Sequence, residues 1–551
     1  LPLPAVEGGG PDRANVGHRE QKQQLQAGHA LHDICEVADG LWIGQVAALR
    51  DGAHVEMVLD QPGDEVGLGR RHAEAGTERA RDAGAGGGLR RLFRPESIAV
   101  VGASSNPAKL GYTLVQAIVG GGYRGRVHLV NPSATSVLGL PCVASPADLP
   151  TDVDLAIVML PAGRVPGVLR ELAARRVFCA VVPAGGFAET GSDGRRVQDE
   201  IREICASTGL RVLGPNVPGF INADAGLVAT FAGGRATPGP LAIVSQAGSV
   251  AYLLARNLHA DAIHFGRFIC LGNKVDIDDG EVIDYLGTDP GVAAIGLYVE
   301  SVVDGAGFLR AAARVSSHKP VVALKGGRTR SGAKAIFSHT ASISSPDRIY
   351  AAAFRKAGIV QVDDARALGP VAFALASQGR SSGNRVAIVT SLAGVGVLAA
   401  DACERSGLSV PAPSKAIRDE LTAVLPPMGS VGNPIDLTGD VNPDMLRRSI
   451  EILSRDDTYD IIVALVMGVP GSRDFGNGAY AEAVRQAAVE TRARCKAIAA
   501  GWVMDEAGGE ELAHVRRTLH EVGVPVCLYP EDAVGVARGL WQRGRLLDER
   551  A

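Results

Sequence analysis

Short apolar runs that end in Gly, Pro or Asn recur along most of this chain, and stretches of helical periodicity separate them. That alternation constrains the fold more than any other feature. A strand covered by helices on both faces reads as a continuous apolar run. The first such unit is Ser97-Ile98-Ala99-Val100-Val101, followed by Gly102-Ala103-Ser104-Ser105-Asn106-Pro107-Ala108-Lys109-Leu110-Gly111 and a helical pattern over residues 113–119. Strand, glycine-rich turn and helix in that order open a Rossmann-type unit. Gly102 lets the backbone approach a phosphate, and the helix start offers N–H groups that lack intrahelical acceptors.

The next strand, Val127-His128-Leu129-Val130, ends in Asn131-Pro132. A dinucleotide site would place an acidic residue there to hold a ribose hydroxyl. GxGxxG is also absent, so the unit reads as a nucleotide-like site without an NAD signature. Runs at 155–160, 180–182 and 210–213 supply further strands, and a charged helix spans about 194–207. Residues 89–235 form the first domain on this reading. The Gly, Pro and Asn at its strand ends are either tight βα turns or a ligand-binding edge.

The same alternation gives a second domain over 236–378 and a third over 379–551. In the second, Leu241-Ala242-Ile243-Val244-Ser245 runs into Gln246-Ala247-Gly248-Ser249 and a helix. This is another strand–turn–helix anion site, with hydroxyls on Ser245 and Ser249. Later strands end in Gly272-Asn273-Lys274, in Glu300 and in Lys325-Gly326-Gly327. The third domain restarts at Arg385-Val386-Ala387-Ile388-Val389-Thr390, and its resemblance to the second is architectural. The fold class is α/β: a Rossmann-type domain followed by two flavodoxin-like, doubly wound parallel-sheet domains.

The totals agree. A length of 551 residues suits roughly three or four domains. Aromatic residues make up only 4%, which favours helices on parallel sheets over a β-sandwich. A net charge of -4 gives no basic field, which argues against nucleic acid as a partner. The eight cysteines contain no CxxC pair, so no metal site or disulfide framework is expected, and a reducing cytoplasm is the expected location. No apolar run reaches the roughly 18 residues of a membrane span. Residues 1–88 lack sustained periodicity and read as a disordered or adventitious extension.

One stretch carries chemistry of a different kind. Phe337-Ser338-His339-Thr340-Ala341-Ser342 holds a histidine between hydroxyls, downstream of Lys325-Gly326-Gly327-Arg328-Thr329-Arg330. His339 is either a nucleophile that carries a phosphoryl group or a solvated loop histidine. A doubly wound sheet collects its strand ends on one edge, which can bring Ser245, Glu300 and the His339 loop together. A carboxylate beside a histidine fixes its tautomer and stabilises the imidazolium. Glu300 could equally cap the next helix or pair with a lysine. A P-loop begins at Gly327 and Gly332, but Ala333 precedes Lys334 and no Ser or Thr follows, so the signature fails.

From about Leu92 onward the chain resembles the NDP-forming (ADP-forming) acyl-CoA synthetases, α-subunit-like relatives of succinyl-CoA synthetase. The matching stretches are Ile98-Ala99-Val100-Val101-Gly102-Ala103-Ser104, Gly214-Pro215-Asn216, Ser245-Gln246-Ala247-Gly248, Gly272-Asn273-Lys274, Ser338-His339-Thr340 and Asn433-Pro434-Ile435-Asp436-Leu437-Thr438. The resemblance implies that His339 is the phosphorylated residue and that Glu300 steadies it. It implies that the turn of Ser245, Gln246, Ala247, Gly248 and Ser249 holds the phosphate. It further implies a CoA-binding first domain, for which Gly102, Ala103, Ser104, Lys109, Asn131 and Pro132 are the candidate residues. Ala341 departs from the glycine that family members often carry there, and Val217 replaces a common cysteine.

The implied reaction joins a carboxylic acid to CoA with ATP, giving ADP and phosphate through phosphohistidine and acyl phosphate. The acid is acetate-like, branched, or aromatic of the cinnamate type. Mg²⁺ would travel with the nucleotide. An ATP-grasp module is not visible in the sequence, so a partner subunit is expected to supply it. An oligomer is expected, without nucleic acid or membrane. Two rivals stand beside this reading: a non-catalytic CoA- or acyl-CoA-sensing protein, and an NAD-dependent oxidoreductase.

Overall fold

The computed structural model describes residues 89–232, 237–340, 346–467, 475–504 and 509–550, with the backbone alone at 337–340. Expectations for residues 1–88 and for Ala341 fall outside these residues.

The first sheet contains β1 (Ser97–Val101), β2 (Arg126–Val130), β3 (Ser136–Val137), β4 (Leu140–Val143), β5 (Leu155–Val158), β6 (Cys179–Val181) and β7 (Arg211–Leu213). Its order is β3-β4-β2-β1-β5-β6-β7, and only the β3–β4 pair is antiparallel. Leaving β3 aside, the parallel strands follow the order 3-2-1-4-5-6 of a Rossmann sheet. Every residue of β1 and β5 is buried, as the continuous apolar runs require. Helix α1 (Leu110–Gly120) follows β1, and α2 (Ser192–Thr208) lies between β6 and β7.

The second sheet contains β8 (Gly219–Asn222), β9 (Leu227–Thr230), β10 (Leu241–Ser245), β11 (Phe265–Cys270), β12 (Ala294–Val299), β13 (Val321–Lys325) and β14 (Val360–Val362). Its order is β14-β13-β12-β10-β11-β8-β9. From β10 onward this is the flavodoxin order 2-1-3-4-5. The hairpin β8–β9 lies within the stretch read as first domain, yet β8 pairs antiparallel with β11 of the second sheet. An ion cluster anchors it: Arg267 of β11, 1% exposed, holds Asp224 of the hairpin at 2.6 Å and Asp289 at 2.9 Å. The helices of this domain include α3 (Gly248–Ala260), α4 (Asp279–Thr288), α5 (Arg330–Thr340) and α6 (Ala365–Gln378).

The third sheet contains β15 (Val386–Thr390), β16 (Ile435–Asp436), β17 (Ile461–Met467), β18 (Ala497–Val503) and β19 (Val526–Cys527), in the order β16-β15-β17-β18-β19. It is all parallel and again flavodoxin-like. Helix α7 (Ala393–Arg405) follows β15, and α8 (Pro530–Asp548) closes the described chain. One apolar core runs from the first sheet through the second to one face of the third. Phe93 plugs the first boundary, with its ring 5.2 Å from Phe220 and 5.1 Å from Tyr285. Gln378 of α6 binds the Ile498 and Gly523 carbonyls at the second boundary, both at 2.9 Å. No helix among the described residues is long and apolar enough to cross a membrane.

His339 was expected in a loop, but its backbone belongs to the last turn of α5. The helix starts where Thr329 caps it: the Thr329 hydroxyl accepts from the Gly332 amide at 3.1 Å, and the Thr329 carbonyl accepts from Ala333 at 2.8 Å. A threonine at the N-cap, followed by Arg, Ser, Gly and Ala, favours that start. The Gly-rich reading of the stretch obscured it.

Candidate active site

The turn after β1 is built to keep its backbone bare. Gly102 has φ +91°, and a Cβ there would lie 2.5 Å from the Met159 carbonyl oxygen. Only glycine fits such a conformation and approach. Asn131 braces the turn, donating from Nδ2 to the Ala103 carbonyl at 2.6 Å, while its Oδ1 accepts from Ser133 and Ala134 at 2.7 and 2.9 Å. Ser104 accepts from the Asn106 amide at 3.1 Å. Gly102, Ala103, Ser104, Asn131 and Pro132 therefore come together at the carboxyl edge of the sheet. Lys109 is exposed at the start of α1, which has no side-chain cap.

At the second sheet, Ser245 is fully buried and its hydroxyl donates to the Ala247 carbonyl at 2.8 Å. Helix α3 begins at Gly248 with no side-chain cap, and Ser249 is exposed on its first turn. Gln246 points the other way. It is 4% exposed, and its Oε1 accepts from Glu300 N at 3.0 Å, Ser301 N at 2.9 Å and Lys274 Nζ at 3.1 Å. Its Nε2 donates to the Ser301 hydroxyl at 3.1 Å, and its own amide donates to the Tyr298 carbonyl at 3.1 Å. Of the predicted phosphate-binding stretch, Ala247, Gly248 and Ser249 form the open helix start, whereas the Gln246 side chain is fully engaged inside.

Glu300 follows β12 and is 5% exposed. Its Oε1 accepts from the Tyr298 hydroxyl at 3.1 Å. Burial and the Glu300 charge both raise the Tyr298 pKa, which keeps that hydroxyl a donor. Glu300 Oε2 is buried and has no hydrogen-bond partner among the described residues. Lys325, at the end of β13, donates to the Glu300 carbonyl at 2.9 Å and lies 4.5 Å from the Tyr350 ring centroid. Burial lowers its ammonium to about 8. Among the described residues, Glu300 neither caps a helix nor forms a side-chain ion pair.

Helix α5 rises from the same edge. A Cβ on Gly326 would fall 2.4 Å from the Tyr298 hydroxyl, so the chain entering α5 passes directly over the group that holds Glu300. Ile336, 7% exposed, packs back onto Gly327. Arg328 binds Asp347 at 3.1 Å and Asp363 at 2.7 Å, and Asp363 also takes Arg538 of α8 at 2.6 Å. The helix lies against the 3-10 turn Ala188–Thr190 of the first domain.

That turn leads to residues the sequence reading left without a role. Glu189 Oε1 accepts from the Gly186 and Phe187 amides at 2.7 and 3.0 Å, and Oε2 accepts from Asn273 at 2.7 Å. Burial works to raise the Glu189 carboxyl, but these bonds outweigh it and hold it below the usual range. Asn273 N donates to the Pro215 carbonyl at 2.9 Å, so the Gly214-Pro215-Asn216 and Gly272-Asn273-Lys274 stretches meet at the boundary between the first two sheets. Lys274 in turn forms a buried ion pair with Asp279 at 2.7 Å. The third sheet repeats the Ser245 turn: Thr390 Oγ1 donates to the Leu392 carbonyl at 2.8 Å before an uncapped α7. The cue for each of these was a strand end in Gly, Asn, Lys or a hydroxyl.

Residues 96–223 match a CoA binding domain, 238–375 the succinyl-CoA ligase like flavodoxin domain and 386–546 the ligase-CoA domain. The α subunit of acetate–CoA ligase (ADP-forming) II of Pyrococcus furiosus is 34% identical over 458 residues, covering 82% of this chain and 97% of that one. Acetate–CoA ligase (ADP-forming) I of Archaeoglobus fulgidus is 33% identical over 81% of this chain, which spans 62% of that longer relative. More distant relatives are named 4-hydroxybutyrate–CoA ligase and trans-feruloyl-CoA synthase. Among solved structures, the dinucleotide forming acetyl-coenzyme A synthetase 1 of Ca. Korarchaeum cryptofilum, in complex with phosphate and ADP, aligns with a TM-score of 0.75 at 30% identity. It covers 84% of this chain and 97% of its own. The chain belongs to the ADP-forming acetyl-CoA synthetase family, as an α-subunit-like enzyme related to succinyl-CoA ligase.

Proposed function

We propose that this chain is the α-type component of an ADP-forming acid–CoA ligase in which His339 carries a phosphoryl group from nucleotide to acid. The observation that carries the reading is Glu300 Oε2, a buried acceptor with no partner among the described residues. An orphan of this kind costs on the order of 1–3 kcal/mol or more. An imidazole N–H arriving from α5 would satisfy it and would hold the ring nitrogen opposite free to attack.

In the ligation direction that nitrogen takes the γ-phosphoryl of ATP. An N–P bond forms, the P–O bond to the β-phosphate breaks and ADP leaves. The substrate carboxylate then takes the phosphoryl, giving an acyl phosphate and a neutral histidine. The thiolate of CoA attacks the acyl carbon, the C–O bond to phosphate breaks, and thioester and phosphate depart. The open start of α3, at Ala247, Gly248 and Ser249, offers N–H donors to the phosphoryl oxygens. Lys325 offsets their charge. Gly102, Ala103, Ser104, Lys109, Asn131 and Pro132 form the CoA-phosphate turn.

An ATP-grasp partner would bring the nucleotide and its Mg²⁺; the relatives named as α subunits support this. The acid is acetate-like, branched or aromatic, and relatives named for acetate, 4-hydroxybutyrate and feruloyl-CoA support that breadth. CoA-dependent ADP release should be measured over a panel of such acids, with and without an ATP-grasp subunit. Release with the subunit and at least one acid is expected. No release with any acid would overturn the assignment.

A further inference from the structure

We infer that Gln246, held by the buried Lys274–Asp279 ion pair, is a positioning residue that aims Glu300. The inference rests on the phosphohistidine reading above. Gln246 belongs to the turn before α3, where a phosphate contact is the obvious role, yet none of its side-chain polar atoms faces outward. Its single carboxamide oxygen collects three donors: the Glu300 amide at 3.0 Å, the Ser301 amide at 2.9 Å and Lys274 Nζ at 3.1 Å. Its Nε2 donates to the Ser301 hydroxyl at 3.1 Å, so both ends of the carboxamide grip the turn that presents Glu300.

Lys274 fixes the carboxamide from below. It is 4% exposed, pairs with Asp279 at 2.7 Å and also donates to the Ser301 carbonyl. A buried ion pair is weak evidence for stability, because desolvation offsets its attraction. Here it makes a rigid point to which the ends of β10 and β12 are both tied. Lys274 also adjoins Asn273, which binds Glu189 of the first domain at 2.7 Å. The tether thus joins the Glu300 turn to the edge of the CoA-binding domain. Misplacing a reacting group by about 1 Å costs on the order of 100-fold in rate.

The test uses the full chain with an ATP-grasp subunit and follows the rate of label transfer from γ-labelled ATP to the protein. Gln246→Met should lower that rate and kcat about 10- to 100-fold, with the CoA KM within about 2-fold of wild type. Gln246→Glu keeps acceptors for both amides and the ammonium, and should restore the rate to within about 3-fold. If Gln246→Met does not fold, Lys274→Met/Asp279→Leu removes both charges together and should slow labelling about 3- to 10-fold. A folded Gln246→Met or double variant that labels at the wild-type rate overturns the inference. Wild type that takes no label overturns the reading beneath it instead.

Discussion

The amide of Glu300 donates to the side-chain oxygen of Gln246 at 3.0 Å, across fifty-four positions of sequence. The bond fastens the end of β12 to the end of β10, its neighbour in the sheet. With Tyr298 holding Oε1, the carboxylate keeps Oε2 buried and without a partner among the described residues. Glu300→Gln keeps the shape and removes the charge. It should lower phosphorylation of the chain more than about 100-fold and leave CoA affinity unchanged, as read by label transfer and by calorimetry with CoA.

The Lys325 ammonium titrates at about 8, lowered chiefly by burial. The unfolded lysine titrates near 10.4. Between these values the unfolded chain binds more protons, so this group's contribution to stability rises as pH climbs through that window. Because the ammonium beside the Glu300 turn loses its charge above pH 8, label transfer should fall there while the fold stays intact. In Lys325→Arg, whose guanidinium keeps its proton, the alkaline fall should disappear. Rates and circular dichroism from pH 7 to pH 10 check both.

His520 lies at the junction of the second and third domains, its ring 4.7 Å from Phe373. Burial, then the nearby Arg516, lowers its pKa to about 4. The unfolded value is about 6.5, so the unfolded chain binds the extra proton between these limits and stability falls as pH drops from 6.5 towards 4. Asp261 at the same junction is raised to about 6 by burial and acts in the opposite sense. His520→Phe should show a smaller loss of urea midpoint between pH 7 and pH 5 than wild type, because it removes the first effect and leaves the second.

Arg267 is 1% exposed and bridges Asp224 and Asp289. Arg267→Leu leaves buried carboxylate without that partner and should cost about 3–5 kcal/mol by urea unfolding. Gly102→Ala forces a Cβ against the Met159 carbonyl at positive φ. It should cost about 1–3 kcal/mol and weaken CoA binding, while label transfer to the chain from ATP is spared.

The sheet architecture was legible because buried parallel strands leave continuous apolar runs, and each end in Gly, Asn or Ser marks a turn. Ser245 and Glu300 could be placed at neighbouring strand ends for that reason. The hairpin β8–β9 was not legible as part of the second sheet. Its strands are short apolar runs, and local pattern does not say which sheet edge a hairpin will join. The start of α5 was hidden because Gly326 and Gly327 drew attention from the Thr329 cap. The inward turn of Gln246 was out of reach, since its partners Lys274 and Glu300 lie 28 and 54 residues away. Only tertiary structure brings them to one oxygen.

The central claim is that His339 carries the phosphoryl group. Wild type and His339→Ala should be incubated with γ-labelled ATP and an ATP-grasp subunit, and the protein-bound, acid-labile label counted. The account predicts label on wild type that ADP or the acid substrate with CoA discharges, and none on His339→Ala. Equal labelling of the two proteins would contradict it.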